Sequence, residues 1–190
     1  SIVAASSPVK PGRPDEILLR MDSGLAFGSG SHPTTRLCVG LIEGRVKGGE
    51  RVFDLGTGTG VLALAALALG AQNALCADID PEAVARAREN AGRNGFADRM
   101  TVKQGSLDVA RAAWPDDHFD LVIANILADV LTELIPQGLP GFVAPGGALL
   151  LSGIKVEQVD LIQTALRGTG YTIAEQRERE GWLALIAEKR

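Results

Sequence analysis

Aromatic side chains are scarce in this chain: Phe, Trp and Tyr together make up 4% of its 190 residues. The core must therefore be built from Ala, Val, Leu and Ile, which dominate the 46% hydrophobic content. Long apolar runs are missing too. The longest, Val61 to Leu69, is rich in alanine, stops at Gly70, and falls well short of the ~20 residues a membrane helix needs. Ser1-Ile2-Val3-Ala4-Ala5 lacks a charged region followed by an apolar core and does not read as a secretory signal. No initiator Met is present, so the chain reads as an excised domain or a fragment. The two cysteines, Cys38 and Cys76, each lie inside an apolar run. That indicates small buried thiols in a reducing, cytoplasmic setting rather than a disulfide framework or a metal site. The two histidines, His32 and His118, are far apart with no ligand spacing around them, so no metal centre is expected. Excess positive charge is also lacking: the formal net charge is -4. A broad nucleic-acid surface is disfavoured, whereas a basic protein remains admissible as partner.

What is present is an alternation of strand-like and helix-like segments. Ser6 to Pro14, rich in Pro, Ser and Gly, is a linker or arm, and Ile17 to Met21 a short strand. A glycine-dense loop, Gly24 to Pro33, precedes a helix over Thr34 to Val46. Strands are then expected at Arg51–Leu55, Ala74–Ile79, Met100–Lys103, Phe119–Ile123 and Ala148–Leu151, the last after a turn at Pro145-Gly146-Gly147. Helices are expected at Val61–Leu69, Pro81–Arg93, Ala128–Ile135 and Val156–Arg167. Asp80 and Pro81 supply the N-cap and first position of the second of these. Tyr171–Glu175 and Trp182–Ala187 have no helix between them and should pair as an antiparallel hairpin around a charged loop. The pattern predicts an α/β fold, a mostly parallel seven-stranded sheet with helices on both faces and a C-terminal antiparallel hairpin. The expected division is residues 1–30 as an N-terminal arm and loop and 31–190 as one catalytic domain.

Asp54-Leu55-Gly56-Thr57-Gly58-Thr59-Gly60 lies between a strand and a helix, where doubly wound sheets bind ligands. Glycine allows a sharp turn and close approach of backbone to a ligand. The spacing is G-x-G-x-G, with Val61 next, so the dinucleotide fingerprint G-x-G-x-x-G fails at its third glycine. A phosphate-binding P-loop fails as well, because no G-K-[ST] follows. The competing reading is a tight turn without a ligand. Asp78 ends the next strand and can accept ribose hydroxyls, whereas Asp80, before Pro81, suits helix capping better. Asn125 ends the strand Leu121-Val122-Ile123-Ala124. Its side-chain carbonyl can accept a hydrogen bond from an amine and so orient a nitrogen nucleophile. Capping of the following helix is the alternative.

The loop resembles motif I of the class I methyltransferases, Rossmann-like enzymes that use S-adenosylmethionine. Asn125-Ile126-Leu127-Ala128 is similar to the N-P-P-Y type motif of amino-group methyltransferases, with Ile126 and Leu127 in place of prolines. Read together with Gly24-Leu25-Ala26-Phe27-Gly28-Ser29-Gly30-Ser31-His32-Pro33-Thr34-Thr35, Asp78-Ile79-Asp80 and Leu151-Ser152-Gly153-Ile154, these segments look like the catalytic domain of PrmA. That family trimethylates amino groups on protein 11 of the large ribosomal subunit. The resemblance runs from about Leu19 to Gln158. It implies S-adenosyl-L-methionine as cofactor, held by Asp54, Gly56, Gly58, Gly60, Thr35, Asp78 and Asn125, with Phe27 and Gly28 shaping a lid over the methionine end. Ile79 would lie against the adenine and Ser106 would border it, with Asp108 as a substitute. Asn125 would be the catalytic residue. Thr35 also has a capping alternative, and so does His32, tempting as a base but placed before a helix. His118 reads as a solvated loop residue.

The chain departs from the family at Asp22-Ser23-Gly24, where Asp-Pro-Gly is usual, and nothing in it corresponds to the family's N-terminal recognition domain. The expected function is transfer of methyl groups to protein amines, lysine or N-terminal, of a ribosomal protein. The alternatives are another protein lysine, a small molecule, or a non-catalytic cofactor-binding module. A protein partner is expected; direct nucleic-acid contact and a membrane are not.

Overall fold

From residue 51 onward the alternation folds into a doubly wound sheet, and the computed structural model describes residues 1–7, 9–13, 16–22, 30–113 and 118–190. Two short strands come first, β1 (Ile2–Ala4) and β2 (Leu19–Met21), paired parallel to each other. Then follow α1 (Pro33–Arg45), β3 (Arg51–Leu55), α2 (Val61–Ala68), β4 (Asn73–Asp78), α3 (Pro81–Arg93), β5 (Met100–Gln104), α4 (Leu107–Ala113), β6 (Phe119–Asn125), α5 (Ala128–Leu134), β7 (Val143–Lys155), α6 (Val159–Leu166), β8 (Tyr171–Arg179) and β9 (Trp182–Lys189). The strands from β3 onward form one seven-stranded sheet in the order β5-β4-β3-β6-β7-β9-β8. All neighbours are parallel except β9, which enters antiparallel between β7 and β8. The strand order reverses between β3 and β6, and a crevice opens beyond their carboxyl ends.

The core lies on the two faces of this sheet. One cluster joins β2, α1, α2 and α3; the other joins α4, α5 and α6. The first contains no aromatic among its buried side chains. Ala63, Ala65 and Ala66 let α2 lie close to the sheet and to α1, and nearly the whole helix is buried. The scarce aromatics are concentrated in the second, where Phe53 packs against Phe119 and Phe142 at ring-centroid distances of 5.3 and 5.7 Å. Cys38 and Cys76 are free, buried thiols, as the sequence predicts. Burial pushes the Cys38 thiol up to about 12. Among the described residues no helix is long and apolar enough to cross a membrane.

Two asparagines one turn apart, Asn90 on α3 and Asn94 at its C-cap, hold β2 in place. Asn94 accepts from the Arg20 N–H and donates to the Arg20 carbonyl, both at 2.9 Å. Asn90 does the same for Asp22, at 2.9 and 3.0 Å, and also donates to the Thr59 carbonyl at 3.1 Å. The side-chain amides thus complete a strand that has no second backbone neighbour among the described residues. They also tie the N-terminal segment to the glycine loop. Leu19 and Met21 are buried in the core shared with α2 and α3.

Beyond β1, which the sequence reading does not include, and α6, which starts at Val159 rather than Val156, three elements differ from the sequence expectation. β7 starts at Val143 and keeps Pro145-Gly146-Gly147 as an irregularity within the strand: Phe119 pairs with Val143 but Leu121 with Ala148. The charged loop of the terminal hairpin shrinks to two residues. β8 runs on to Arg179, and the turn is Glu180-Gly181, both with positive φ, 55° and 77°. Such a two-residue turn matches the twist of its strands, so the charged residues continue as an exposed strand. α4 was not expected; it is too short for a helical period to stand out, and its start is fixed by Asp108, which accepts from the Ser106 N–H at 2.7 Å.

Candidate functional site

The carboxyl ends of β3, β4, β6 and β7 and the turn after β5 converge on one cleft of about 480 Å³. The glycine loop forms its floor. The Gly56 and Thr57 N–H groups donate to the Ala77 carbonyl at 2.8 and 3.1 Å, which folds the loop back onto β4. Gly56, Gly58 and Gly60 have φ of 69°, 56° and 82°, a region L side chains rarely adopt. Gly56 and Gly58 line the cleft. Gly60 does not: it caps the N-terminus of α2 and faces Ala87 and Met100, where a methyl would come within 2.6 Å of Met100 Cε.

The two acids of this half have different tasks. Asp54 is 1% exposed, and one of its oxygens takes the Thr57 hydroxyl at 2.7 Å and the Ala63 N–H at 3.3 Å. It holds the loop to the start of α2. Burial raises its carboxyl to about 6; the two hydrogen bonds pull it down and the charge of Asp78 pushes it up. Asp78 is only partly buried. Its oxygens accept from Gly58 N–H at 2.9 Å and Asp80 N–H at 3.0 Å, which aims the carboxylate along the cleft. Asp80 caps α3 by accepting from the Glu82 N–H at 2.9 Å. Ile79 projects beside Asp78 with 76% of its surface exposed, and Gly105 and Ser106 close that end of the cleft. Asp108 is engaged with the Ser106 backbone.

Across the cleft the chemistry changes. Ile126, Leu127, Val130 and Leu134 line it together with Trp182, the first residue of β9. Asn125, at the end of β6, is the polar side chain of this wall. Its Oδ1 is buried and has no hydrogen-bond partner among the described residues. Thr35, in the first turn of α1, is 1% exposed, and its Oγ1 is likewise buried and unbonded. Neither serves as a cap. The cap of α1 is His32, whose Nδ1 accepts from the Thr34 N–H at 3.3 Å and lies 2.8 Å from Thr34 Oγ1. The His32 ring meets Trp182 edge-on at 5.1 Å, so both rings close the mouth. His118 is exposed and does not line the cleft.

The structure thus brings together Thr35, Asp54, Gly56, Gly58, Asp78, Ile79, Ser106 and Asn125. Phe27 and Gly28 lie outside the described residues. Sequence reasoning did not single out Trp182, Val130 or Leu134, whose apolar character marks core as readily as cleft.

Sheet order, switch point and G-x-G-x-G turn define the Rossmann-like methyltransferase fold. Within that class the chain belongs to the PrmA family, ribosomal protein L11 methyltransferase, whose family model matches residues 1–190. It is 45% identical over 172 residues to the ribosomal protein L11 methyltransferase of Pelotomaculum thermopropionicum, covering 90% of this chain and 54% of that protein. It is 43% identical over 177 residues to the enzyme of the same name from Pseudomonas paraeruginosa, covering 93% and 58%. The crystal structure of ribosomal protein L11 methylase from Lactobacillus delbrueckii subsp. bulgaricus superposes with a TM-score of 0.89 at 36% identity, covering 100% of this chain and 94% of that one. The chain spans just over half the length of these two curated relatives.

Proposed function

We propose that the chain binds S-adenosylmethionine in this cleft and methylates amino groups of a protein, namely the ribosomal protein for which its relatives are named. One observation carries the reading: Asn125 Oδ1 and Thr35 Oγ1 are buried at the cleft without partners among the described residues, beside a loop whose glycines admit close approach. Buried polar atoms are rarely left unpaired, and each unpaired one costs about 1–3 kcal/mol, so the two together indicate that a ligand completes them.

The residues present fit the cofactor. Each Asp78 oxygen already accepts one backbone N–H and keeps capacity for a ribose hydroxyl. Ile79 offers an apolar surface to the adenine, with Gly105 and Ser106 at its edge. The Gly56–Gly58 backbone and the Thr35 hydroxyl face the amino-acid portion. Asp54 and Gly60 act on the loop itself: one holds it to α2, the other turns it. When bound, S-adenosylmethionine supplies a methyl group already activated on a sulfonium, so the protein chiefly has to position the acceptor. Asn125 Oδ1 accepts a hydrogen bond from the acceptor amine and thereby sets the direction of the nitrogen lone pair. A lysine, with a reference pKa of about 10.4, must lose its proton first. The apolar wall of Leu127, Val130 and Leu134 disfavours the charged form and accommodates the methylene stem.

Incubation with labelled S-adenosylmethionine and purified ribosomal protein L11 tests the proposal, with the chain alone and fused behind the N-terminal part of a longer relative. Methyl incorporation at L11 amines is the expected result. Incorporation only into other proteins or small molecules would move the acceptor elsewhere. Cofactor binding without transfer to any acceptor would make this a binding module.

A further inference from the structure

Ile126 is enclosed by two positions that carry no side chain. On one side is Gly56 of the glycine loop, with φ of 69°; a methyl group there would overlap Ile126 Cγ2. On the other is Gly153 of β7, with φ of 82°; a methyl group there would fall on the Ile126 carbonyl oxygen, 2.7 Å from its carbonyl carbon and 3.1 Å from its nitrogen. The register of β7 against β9 passes from Ser152 to Ile154, so Gly153 is the extra residue of a bulge, and the bulge brings the β7 backbone against the peptide of Ile126. The Ile126 N–H donates to the Ser152 carbonyl at 3.1 Å. The residue is therefore held at its backbone by β7 and at its branched side chain by the glycine loop.

The residue immediately before it is Asn125, whose Oδ1 has no hydrogen bond among the described residues. No polar partner directs that oxygen, so its backbone and packing must. We infer that Ile126 is a positioning residue: wedged between Gly56 and Gly153, it fixes the peptide from which the Asn125 amide projects and keeps the acceptor wall in register with the glycine loop. The branch at Cβ is the effective part. Val and Ile have a strongly restricted χ1, and Cγ2 is the atom that meets Gly56. Because Gly56 belongs to the loop assigned to the cofactor and Asn125 to the acceptor, the contact sets the distance between the two groups.

The kinetic arm of the test rests on the amine-methylation reading; the spectroscopic arm does not. Ile126→Val keeps Cγ2, whereas Ile126→Leu keeps the side-chain volume and loses the branch. With an L11 acceptor, Ile126→Leu should lower kcat roughly tenfold while the Kd for S-adenosylhomocysteine, measured by calorimetry, stays within about threefold; Ile126→Val should retain kcat within about twofold. Gly153→Ala should lower kcat as Leu does. In 15N-edited spectra the Asn125 side-chain NH2 pair should stay sharp in Ile126→Val and broaden in Ile126→Leu. A residue that merely fills space would give the opposite order, since Leu conserves volume and Val does not. Equal spectra for the two variants, or a kcat loss that follows the Kd, would overturn the inference. If the wild type methylates no amine, the amine reading fails, and the amide spectra still decide the role of Ile126.

Discussion

The two halves of the cleft are built on opposite principles. Around the ends of β3, β4 and β5, polar groups are already satisfied: Asp54 by Thr57 and Ala63, Asp78 by Gly58 and Asp80, the loop N–H groups by Ala77. Around the ends of β6 and β7 and the start of α1 the wall is apolar, and two polar atoms are left open, on Thr35 and Asn125. The first half is shaped before anything binds; the second is completed by what binds. Preorganised carboxylates suit a constant partner, the cofactor; of the two open atoms, Thr35 Oγ1 suits the cofactor's amino-acid portion, and Asn125 Oδ1, in an apolar wall, suits a reacting amine that must arrive without its extra proton.

The comparison breaks most readily at Asp78. Asp78→Ala should weaken S-adenosylmethionine binding several-hundredfold in calorimetry, since two charge-assisted hydrogen bonds of about 1.5–3 kcal/mol each disappear. Unchanged affinity would remove Asp78 from the ribose. Asn125→Ala should separate the halves: kcat falls by roughly tenfold to a hundredfold while cofactor affinity changes little. A parallel fall in affinity would place Asn125 on the cofactor side. Asn90→Ala probes how the first half is held, because Asn90 joins Asp22 to Thr59. Loss of its amide leaves buried backbone groups unpaired, and urea denaturation should report a loss of about 2–3 kcal/mol.

The smallest effect concerns pH. Asp54 titrates near 6 in the folded chain against an ordinary 3.8. A raised carboxyl contributes stability that is complete below about 3.8 and is lost as pH rises through about 6. The wild type measured against Asp54→Asn should therefore lose on the order of 2 kcal/mol between pH 4.5 and 7.5. A difference that is flat with pH would mean that Asp54 keeps its charge at no cost.

Much of this was legible in the residues alone. Strong local signals placed the elements well: β3 spans Arg51–Leu55 and α3 spans Pro81–Arg93 with Asp80 as cap, all as the sequence predicts. Errors fell where the local signal is weak or is overruled. Pro145-Gly146-Gly147 reads as a turn, yet pairing of Val143 and Ala148 with β6 on either side absorbs it into β7. Gln176 to Arg179 reads as part of a charged loop, yet one sheet neighbour suffices to hold it as an exposed edge strand. Asn90 and Asn94 look like the polar face of any helix; only the arrival of Arg20 and Asp22 from the far end of the chain makes them partners. Gly153 belonged to a quoted segment, but its task is visible only with Ile126 beside it.

The sequence by itself determined the alternation of elements, the turn at Gly56, Gly58 and Gly60, the capping by Asp80 and the candidates Asp78 and Asn125. These follow from short-range rules, in which side-chain periodicity, caps and backbone freedom act over a few residues. Only the tertiary structure decided that Asp54 is spent on holding the loop, that Gly60 turns away from the cleft, and that Thr35 and Asn125 are left open opposite Asp78. Those outcomes depend on which groups from distant segments meet at the switch point, where burial and pairing assign each polar atom a partner or leave it for a ligand.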